Sequence, residues 1–302
     1  EGTSDEAFEA ELTKRQEALQ TKLAAARTEW SARIRERVGD YLRAQLELEE
    51  YPPQGFDQVL EKTDLLPAFV RRWEAYLRAA KRRDDPVFAA WHAYLGIPEE
   101  SFAEEAAQIT GELQSTPDRV NRLVAEAFSS PPASFAEVID RYAELFARVD
   151  EEWKSQQELA TTAGAAVPTE FDDPAAEQLR RVLYGPGAPC EVPDEPIVHT
   201  EDDFDSATCT ELWKLQGEVD RWIINSPEDI PFALTLVDRD VPSQPHIFRR
   251  GNPTTPGDDV PRQMLSVIAG EARTPFEQGS GRLELAQSII DPSNPLTARV
   301  IV

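Results

Sequence analysis

Apolar residues recur at three- and four-residue steps through the first 50 positions, with charged residues between them. The apolar positions are Phe8, Leu12, Leu19, Leu23, Ala26, Trp30, Ile34, Val38, Leu42 and Leu46. This spacing places one apolar stripe on a helix, and Thr3 and Glu6 have the spacing of a capping box at its start. The pattern predicts one continuous helix over 4–50, roughly 65 Å long, which packs as a coiled-coil-like arm or a hairpin.

Shorter helices are predicted after the two prolines at 52–53, each with its own start signal. The signals are Leu66-Pro67, Asp85-Pro86, Ser101 with Glu104, Thr116-Pro117, and Ser134 with Glu137. They predict that residues 1–162 are all-helical, as antiparallel hairpins and a small bundle. The aromatic residues Trp73, Tyr76, Phe88, Trp91 and Tyr94 could form a sugar-stacking surface, but their helical spacing favours core packing.

The pattern changes after residue 162. Residues 163–174 begin with small, neutral positions and are predicted to form a linker, and prolines and glycines cluster over 184–189. Strands are predicted at Ile197–His199, Phe232–Val237 and His246–Phe248, and helices at Thr208–Ile224, Pro261–Ala269, Arg282–Ile290 and after Asn294-Pro295. The predicted fold class is therefore mainly α: a long helical arm or hairpin and a small bundle, followed at 175–302 by an incomplete α+β domain with a few short strands.

Composition narrows the functions that are open to the chain. The net charge is -25 and the pI is near 4.5, which argues against nucleic-acid binding because phosphate contacts need clustered Lys and Arg. No window approaches the roughly 20 apolar residues of a membrane span. The chain starts at Glu1 and stops in the apolar run 296–302, so we expect it to be an internal piece of a larger protein.

Two cysteines, Cys190 and Cys209, lie 19 positions apart. Neither belongs to a Cys-x-x-Cys pair, so structural zinc and covalent haem are unsupported. A disulfide between them is plausible in an exported protein and would contribute on the order of 3 kcal/mol in the chain-entropy model. Two separate, half-buried thiols are the alternative.

Carboxylates crowd the segment 191–205, which contains no Lys or Arg. Asp202, Asp203 and Asp205 are its densest group and are the candidate metal ligands, since calcium favours oxygen-rich loops. The segment lacks the D-x-D-x-D-G order and the closing glutamate of an EF-hand. A solvated loop or helix-capping carboxylates are therefore the favoured interpretation.

The most distinctive polar stretch is Arg249-Arg250-Gly251-Asn252, which follows a predicted strand. Guanidinium groups beside a glycine turn could bind a carboxylate, sulfate or phosphate in bidentate fashion. Internal ion pairs with Asp238, Asp240 or Asp258 are the competing interpretation. The stretch 279–281 lacks the P-loop lysine, and a glycine turn that caps a helix accounts for it.

The three histidines, His92, His199 and His246, are far apart in sequence, and no two have metal-ligand spacing on one helix. His92 follows Trp91 on a predicted helix and is interpreted as a packing or surface residue. Spacing indicates no Ser/His/Asp or Cys/His constellation. We therefore predict no complete catalytic site and no cofactor in this chain.

Several stretches in order resemble one family. They are Leu183-Tyr184-Gly185-Pro186, Leu212-Trp213-Lys214-Leu215, Arg250-Gly251-Asn252, Gly279-Ser280-Gly281-Arg282 and Asn294-Pro295-Leu296-Thr297. Over roughly 175–302 the chain resembles the PSD-one domain, a domain of unknown function that is abundant in planctomycete bacteria. The helical region resembles the variable spacer of such proteins. The resemblance implies an exported parent polypeptide, often with a cytochrome-c-like domain, so that haem would lie elsewhere in the parent.

The function expected from this resemblance is a non-catalytic spacer and interaction module of an exported planctomycete multidomain protein. Its partners would be other domains of the same polypeptide, and an extracellular polymer or protein is a further candidate. The alternative is part of an enzyme that acts on sulfated extracellular polysaccharide, with Arg249 and Arg250 touching the anion. A redox-partner role, through the cytochrome-like part of the parent, ranks third.

Overall fold

The chain forms two compact units, Glu1–Ile230 and Pro231–Val302. These are called here the helical unit and the C-terminal unit. The structure is a computed structural model that describes residues 6–51, 59–193, 202–226, 235–238, 245–248, 251, 256–270 and 273–301. The fold is mainly helical with a small antiparallel sheet, which confirms the predicted fold class. The boundaries proposed at 162 and 174 stay a prediction.

The helical unit is built from nine described α-helices joined by turns and short 3₁₀ segments. The helices are α1 (Glu6–Glu36), α2 (Val38–Arg43), α3 (Pro67–Arg82), α4 (Ala89–Tyr94), α5 (Phe102–Ser115), α6 (Arg122–Ala127), α7 (Phe135–Thr162), α8 (Pro174–Tyr184) and α9 (Ser206–Ile224). The 3₁₀ segments are Ala44–Leu46, Leu48–Glu50, Glu99–Ser101 and Pro117–Arg119. No described helix is both long enough and apolar enough to cross a membrane.

The prediction of one uninterrupted helix over 4–50 was wrong. The helix breaks at Arg37, whose backbone leaves the helical region at φ -109° and ψ 21°. After the break, α2 packs on α7. A Cβ on Gly39 would lie 2.8 Å from the Cβ of Ala143, so glycine permits this close approach. The amphipathic stripe continues across the break because Val38 and Leu42 remain buried.

Some of the predicted helix starts are confirmed and others are not. Helix α3 begins at Pro67 as expected, and Ser134 caps α7 by accepting a hydrogen bond from the Glu137 N–H at 3.3 Å. The Thr116-Pro117 signal gives a 3₁₀ turn and not the expected helix. The helix beyond it is capped instead by Asn121, whose Oδ1 accepts from the Leu123 and Val124 N–H groups.

Aromatic side chains form the centre of the helical unit, as the sequence predicted. Trp73 packs edge-on against Phe88 and Phe146 with ring centroids 6.5 and 6.3 Å apart. Tyr142 is fully buried, donates to the Val87 carbonyl at 2.8 Å and accepts from the Trp91 N–H at 3.1 Å. These hydrogen bonds satisfy the Tyr142 hydroxyl inside the aromatic cluster.

Two helix pairs, α1 with α9 and α7 with α8, make further packing contacts in the helical unit. Helix α1 packs along α9, where the Phe8 and Trp222 rings stack at 5.6 Å and the Arg15 guanidinium lies 4.9 Å from the Trp222 ring centroid. Helix α7 packs on α8, and Trp153 meets Phe171 edge-on at 5.0 Å. Phe171 lies in the segment predicted to be a linker and is buried.

The C-terminal unit contains β1 (His246–Phe248), β2 (Pro256–Asp259), α10 (Ser266–Ala269), α11 (Arg282–Ile290) and α12 (Thr297–Ile301). Strands β1 and β2 pair antiparallel, with His246 opposite Asp259. The predicted strand at 246–248 and the helix at 282–290 are confirmed. The helix predicted at 261–269 is limited to α10, and 235–237 are not in a strand. The predicted strand at 197–199 lies outside the described residues.

Candidate functional site

Of the two alternatives that the sequence left open, a disulfide or two separate thiols, the structure has two free thiols, and both are buried. Cys190 follows the turn after α8, and Cys209 lies in the first turn of α9, where its Sγ is 3.8 Å from the Phe204 carbonyl. Burial raises the pKa of Cys190, although Arg35 acts in the opposite direction. A protonated, inaccessible thiol is a poor nucleophile, which argues against redox or catalytic use of Cys190 in this conformation.

The three candidate metal ligands occupy different environments. Asp202 is exposed, whereas Asp203 and Asp205 are buried at 6% and 2% exposure. Asp205 is the N-cap residue of α9 without a side-chain capping bond, and its Oδ1 has no hydrogen-bond partner in the described part of the chain. Within that part, no three His, Cys, Asp or Glu side chains are grouped to hold a metal ion. The metal site stays a prediction.

The candidate anion site falls on the connection between β1 and β2. Arg249, Arg250 and Asn252 lie outside the described residues, and Gly251 has φ +73°. A positive φ favours glycine, in keeping with the glycine turn that the sequence predicted. Of the carboxylates expected to compete for the arginines, Asp238 instead accepts from Ser280 and from Arg282, the latter at 2.6 Å. Anion binding here stays a prediction.

His246 lies at the start of the same hairpin. Its Nδ1 is 2.9 Å from Oδ1 of Asp259, directly across the two strands. Both side chains are more than a third exposed. The pair joins the two strands, and its position at the surface gives it no enclosed site in which to act.

Sequence reasoning missed a buried polar cluster at the junction of α1, α7 and α8. The Arg35 side chain is only 9% exposed, forms an ion pair with Glu191 and lies 3.9 Å from Asp150. Its guanidinium stacks 4.2 Å above the Tyr184 ring, and the Tyr184 hydroxyl donates to Asp150. Lys154 also forms an ion pair with Asp150, with its Nζ 2.7 Å from Oδ2 of the carboxylate.

This cluster attaches the segment 185–192 to the helical unit. Besides the Arg35–Glu191 pair, the Val192 N–H donates to the buried Ser31 hydroxyl at 3.0 Å, and Arg72 donates to the Ala188 carbonyl at 3.3 Å. Each partner already has an ion pair or hydrogen bond, so the arrangement is structural. A charged residue within an apolar stripe, such as Asp150 beside Val149, was the only sequence signal for it.

A second buried carboxylate lies at the start of α8. Burial opposes ionisation of Glu177, but hydrogen bonds from Arg180, Arg181 and the Phe171 N–H outweigh it and lower its pKa to about 2. Glu177 thus ties the segment before α8 to the helix itself. Its role is to hold that segment in place.

Comparisons with protein-family models, with curated proteins and with solved structures give no match to this chain.

Proposed function

We propose that this chain is a non-catalytic spacer and interaction module of an exported multidomain protein. The observation that carries the proposal is the unequal burial of apolar side chains. Every buried hydrophobic residue in the described part of the chain lies in the helical unit, from Phe8 to Val219. In the C-terminal unit most described hydrophobic residues are exposed, and the others, such as Met264 and Phe276, are half-buried.

The helical unit has the properties of a rigid spacer. Its buried residues form one continuous cluster from Leu19 to Val219, and long helices with well-packed aromatic contacts resist bending. The buried polar cluster around Arg35 holds the segment 185–192 in place, and none of its described side chains is a free nucleophile or base.

The C-terminal unit has the properties of an interaction element. Val267 is 86% exposed, Leu283 60% and Ile290 74%. Its described contacts are largely polar, such as Glu284 accepting from the Glu277 and Gln278 N–H groups. Exposed apolar side chains on this scale favour a covering surface. In the parent polypeptide that surface would belong to the other domains, which the resemblance to PSD-one proteins supports.

Hydrogen exchange tests this proposal on the chain alone and within the full-length parent. In the chain alone, amides of α3 and α7 should exchange slowly and amides of α11 should exchange near the rate of an unfolded chain. In the parent, α11 should become protected. Protection of α11 in the chain alone, or its absence in both samples, would contradict an interaction role.

A further inference from the structure

A cleft of about 510 Å³ opens in the helical unit between α4, α5 and the turns that follow α3 and α5. It exists because the α4 face toward α5 carries alanines: Ala89 and Ala93 lie one turn apart, with His92 between them. Ile109 and Leu113 form the opposite wall on α5. Small residues on one wall leave a volume within the range of small-molecule sites.

The floor of the cleft is apolar except for His92. Leu113 and Val120 are buried, and Ala93 and Ile109 are partly buried. Both ring nitrogens of His92 are shielded from solvent, and within the described chain neither has a hydrogen bond of normal length and angle, although the ring interacts with the Leu77 backbone. Buried polar groups are normally hydrogen-bonded in native proteins, so the imidazole retains the capacity for a further hydrogen bond to a ligand in the cleft.

The imidazole is kept neutral. Burial lowers the pKa of His92, and the positive charge of Lys81 lowers it further, against smaller opposing effects of a hydrogen bond to the Leu77 backbone and of the negative charge of Asp85. A neutral ring offers one donor and one acceptor at the same time. It therefore suits an uncharged polar contact more than an ion pair.

The rim of the cleft carries charges of both signs that do not neutralise one another. Lys81 and Arg119 line it together with Asp84, Asp85 and Glu112. None of these five side chains forms an ion pair within the described chain, although Asp85 accepts from the Val87 N–H at 3.0 Å and Glu112 from Gln108 at 2.9 Å. Asp84 is held at φ +51°, the one described non-glycine residue with a positive φ.

We propose that this cleft binds a small zwitterion with an apolar side chain, that is, a free aliphatic or aromatic α-amino acid. Its carboxylate meets Lys81 and Arg119, its ammonium group meets the acidic part of the rim, and its side chain lies on the apolar floor. A ligand with one charge would meet only the two basic or only the three acidic side chains of the rim. This inference is independent of the spacer role, since a scaffold needs no such cleft.

Calorimetry on the full chain tests the proposal with three probes that share one side chain. L-leucine carries both charges, 3-methylbutylamine lacks the carboxylate, and 4-methylpentanoate lacks the amine. We expect L-leucine to bind at least tenfold more tightly than either single-charge probe. Equal binding by either one would overturn the zwitterion assignment, and so would no binding of L-leucine or L-phenylalanine at millimolar concentration.

Variants locate the binding. Ala93→Leu fills the cleft and should abolish leucine binding while the circular dichroism spectrum and the unfolding transition are retained. Lys81→Ala should weaken leucine binding about fivefold and leave 3-methylbutylamine binding unchanged, whereas Lys14→Ala, on exposed α1 surface, should change neither. Unchanged leucine binding in folded Ala93→Leu protein would place the site elsewhere and overturn the proposal. If Ala93→Leu does not fold, the Lys81→Ala and Lys14→Ala pair decides by the same criterion.

Discussion

The two units of this chain use their apolar residues in opposite ways. In the helical unit Trp73, Tyr142 and Leu212 are 0% exposed, whereas in the C-terminal unit Val267 and Val300 are more than 80% exposed. Burial of apolar surface is the main favourable term in folding. The helical unit therefore contains its own source of stability, and the C-terminal unit depends on hydrogen bonds and ion pairs that each contribute little at an exposed surface.

The contrast also concerns the kind of polar contact. The helical unit places charges in its interior and pairs them, as at Arg35 with Asp150 and Glu191. The described ion pairs of the C-terminal unit lie at the surface, as where Arg282 and Asp238 are about half exposed. Substitutions should therefore change the free energy of unfolding strongly in the helical unit and weakly in the C-terminal unit.

The largest effect is expected at Trp73. Trp73→Ala removes a fully buried ring that contacts Tyr76, Phe88 and Phe146, and it should lower the free energy of unfolding by about 3–5 kcal/mol. Urea denaturation followed by circular dichroism measures this loss. Trp73→Phe is the control and should cost less, since the buried indole N–H has no hydrogen-bond partner among the residues that the structure describes. A loss below 1 kcal/mol for Trp73→Ala would contradict a single packed core.

A pH effect of similar size is expected at Glu177. Because its folded-state pKa is lowered to about 2, the stabilisation is complete above the ordinary pKa near 4.5 and is lost as the pH falls from there toward 2. The contribution is on the order of 3 kcal/mol at neutral pH.

Glu177→Gln should abolish this part of the acid dependence. Denaturation midpoints measured between pH 2 and pH 7 should then vary less in Glu177→Gln protein than in the unsubstituted chain. Glu170→Gln is the matched control. The Glu170 side chain is 68% exposed, and its Oε2 is as far as 4.0 Å from Nη2 of Arg181, so this ion pair is weak. An equal change in both variants would contradict the assignment.

A moderate effect is expected at the contact between α2 and α7. Gly39→Ala adds a Cβ 2.8 Å from that of Ala143 and should cost about 1–3 kcal/mol, although alanine favours helix more than glycine does. Ala143→Gly in the same chain should restore part of the loss. The coupling energy from this double-mutant cycle measures the contact. A stabilising Gly39→Ala substitution would show that α2 lies farther from α7.

Gly39 also shows why the sequence predicted that this region is helical but not where the helix breaks. The amphipathic stripe runs unbroken through Val38 and Leu42, so periodicity alone favours one long helix. The helix that follows the break at Arg37 packs against α7, about a hundred positions later in the chain, and Gly39 was the one residue in the pattern that indicated a break.

The sites were less predictable for a related reason. The cluster of Arg35, Asp150 and Tyr184 joins three helices that are distant in sequence, and no spacing rule connects them. The cleft at His92 depends on alanines that look like ordinary helix formers. Strand β2 combines Pro256, Gly257 and two aspartates, residues that strands disfavour, so that only its pairing with β1 identifies it.

The smallest effect is expected in the C-terminal unit, and it sharpens the comparison most. Leu283→Ala, at a side chain that is 60% exposed, should change the free energy of unfolding by less than about 0.5 kcal/mol. Leu212→Ala is the same substitution at a fully buried site in α9 and should cost about 2–5 kcal/mol. If Leu283→Ala instead destabilises the full-length parent by more than about 1 kcal/mol while sparing this chain, its side chain is covered there. A small effect in both would leave the exposed apolar residues of the C-terminal unit without a partner and would weaken the interaction role.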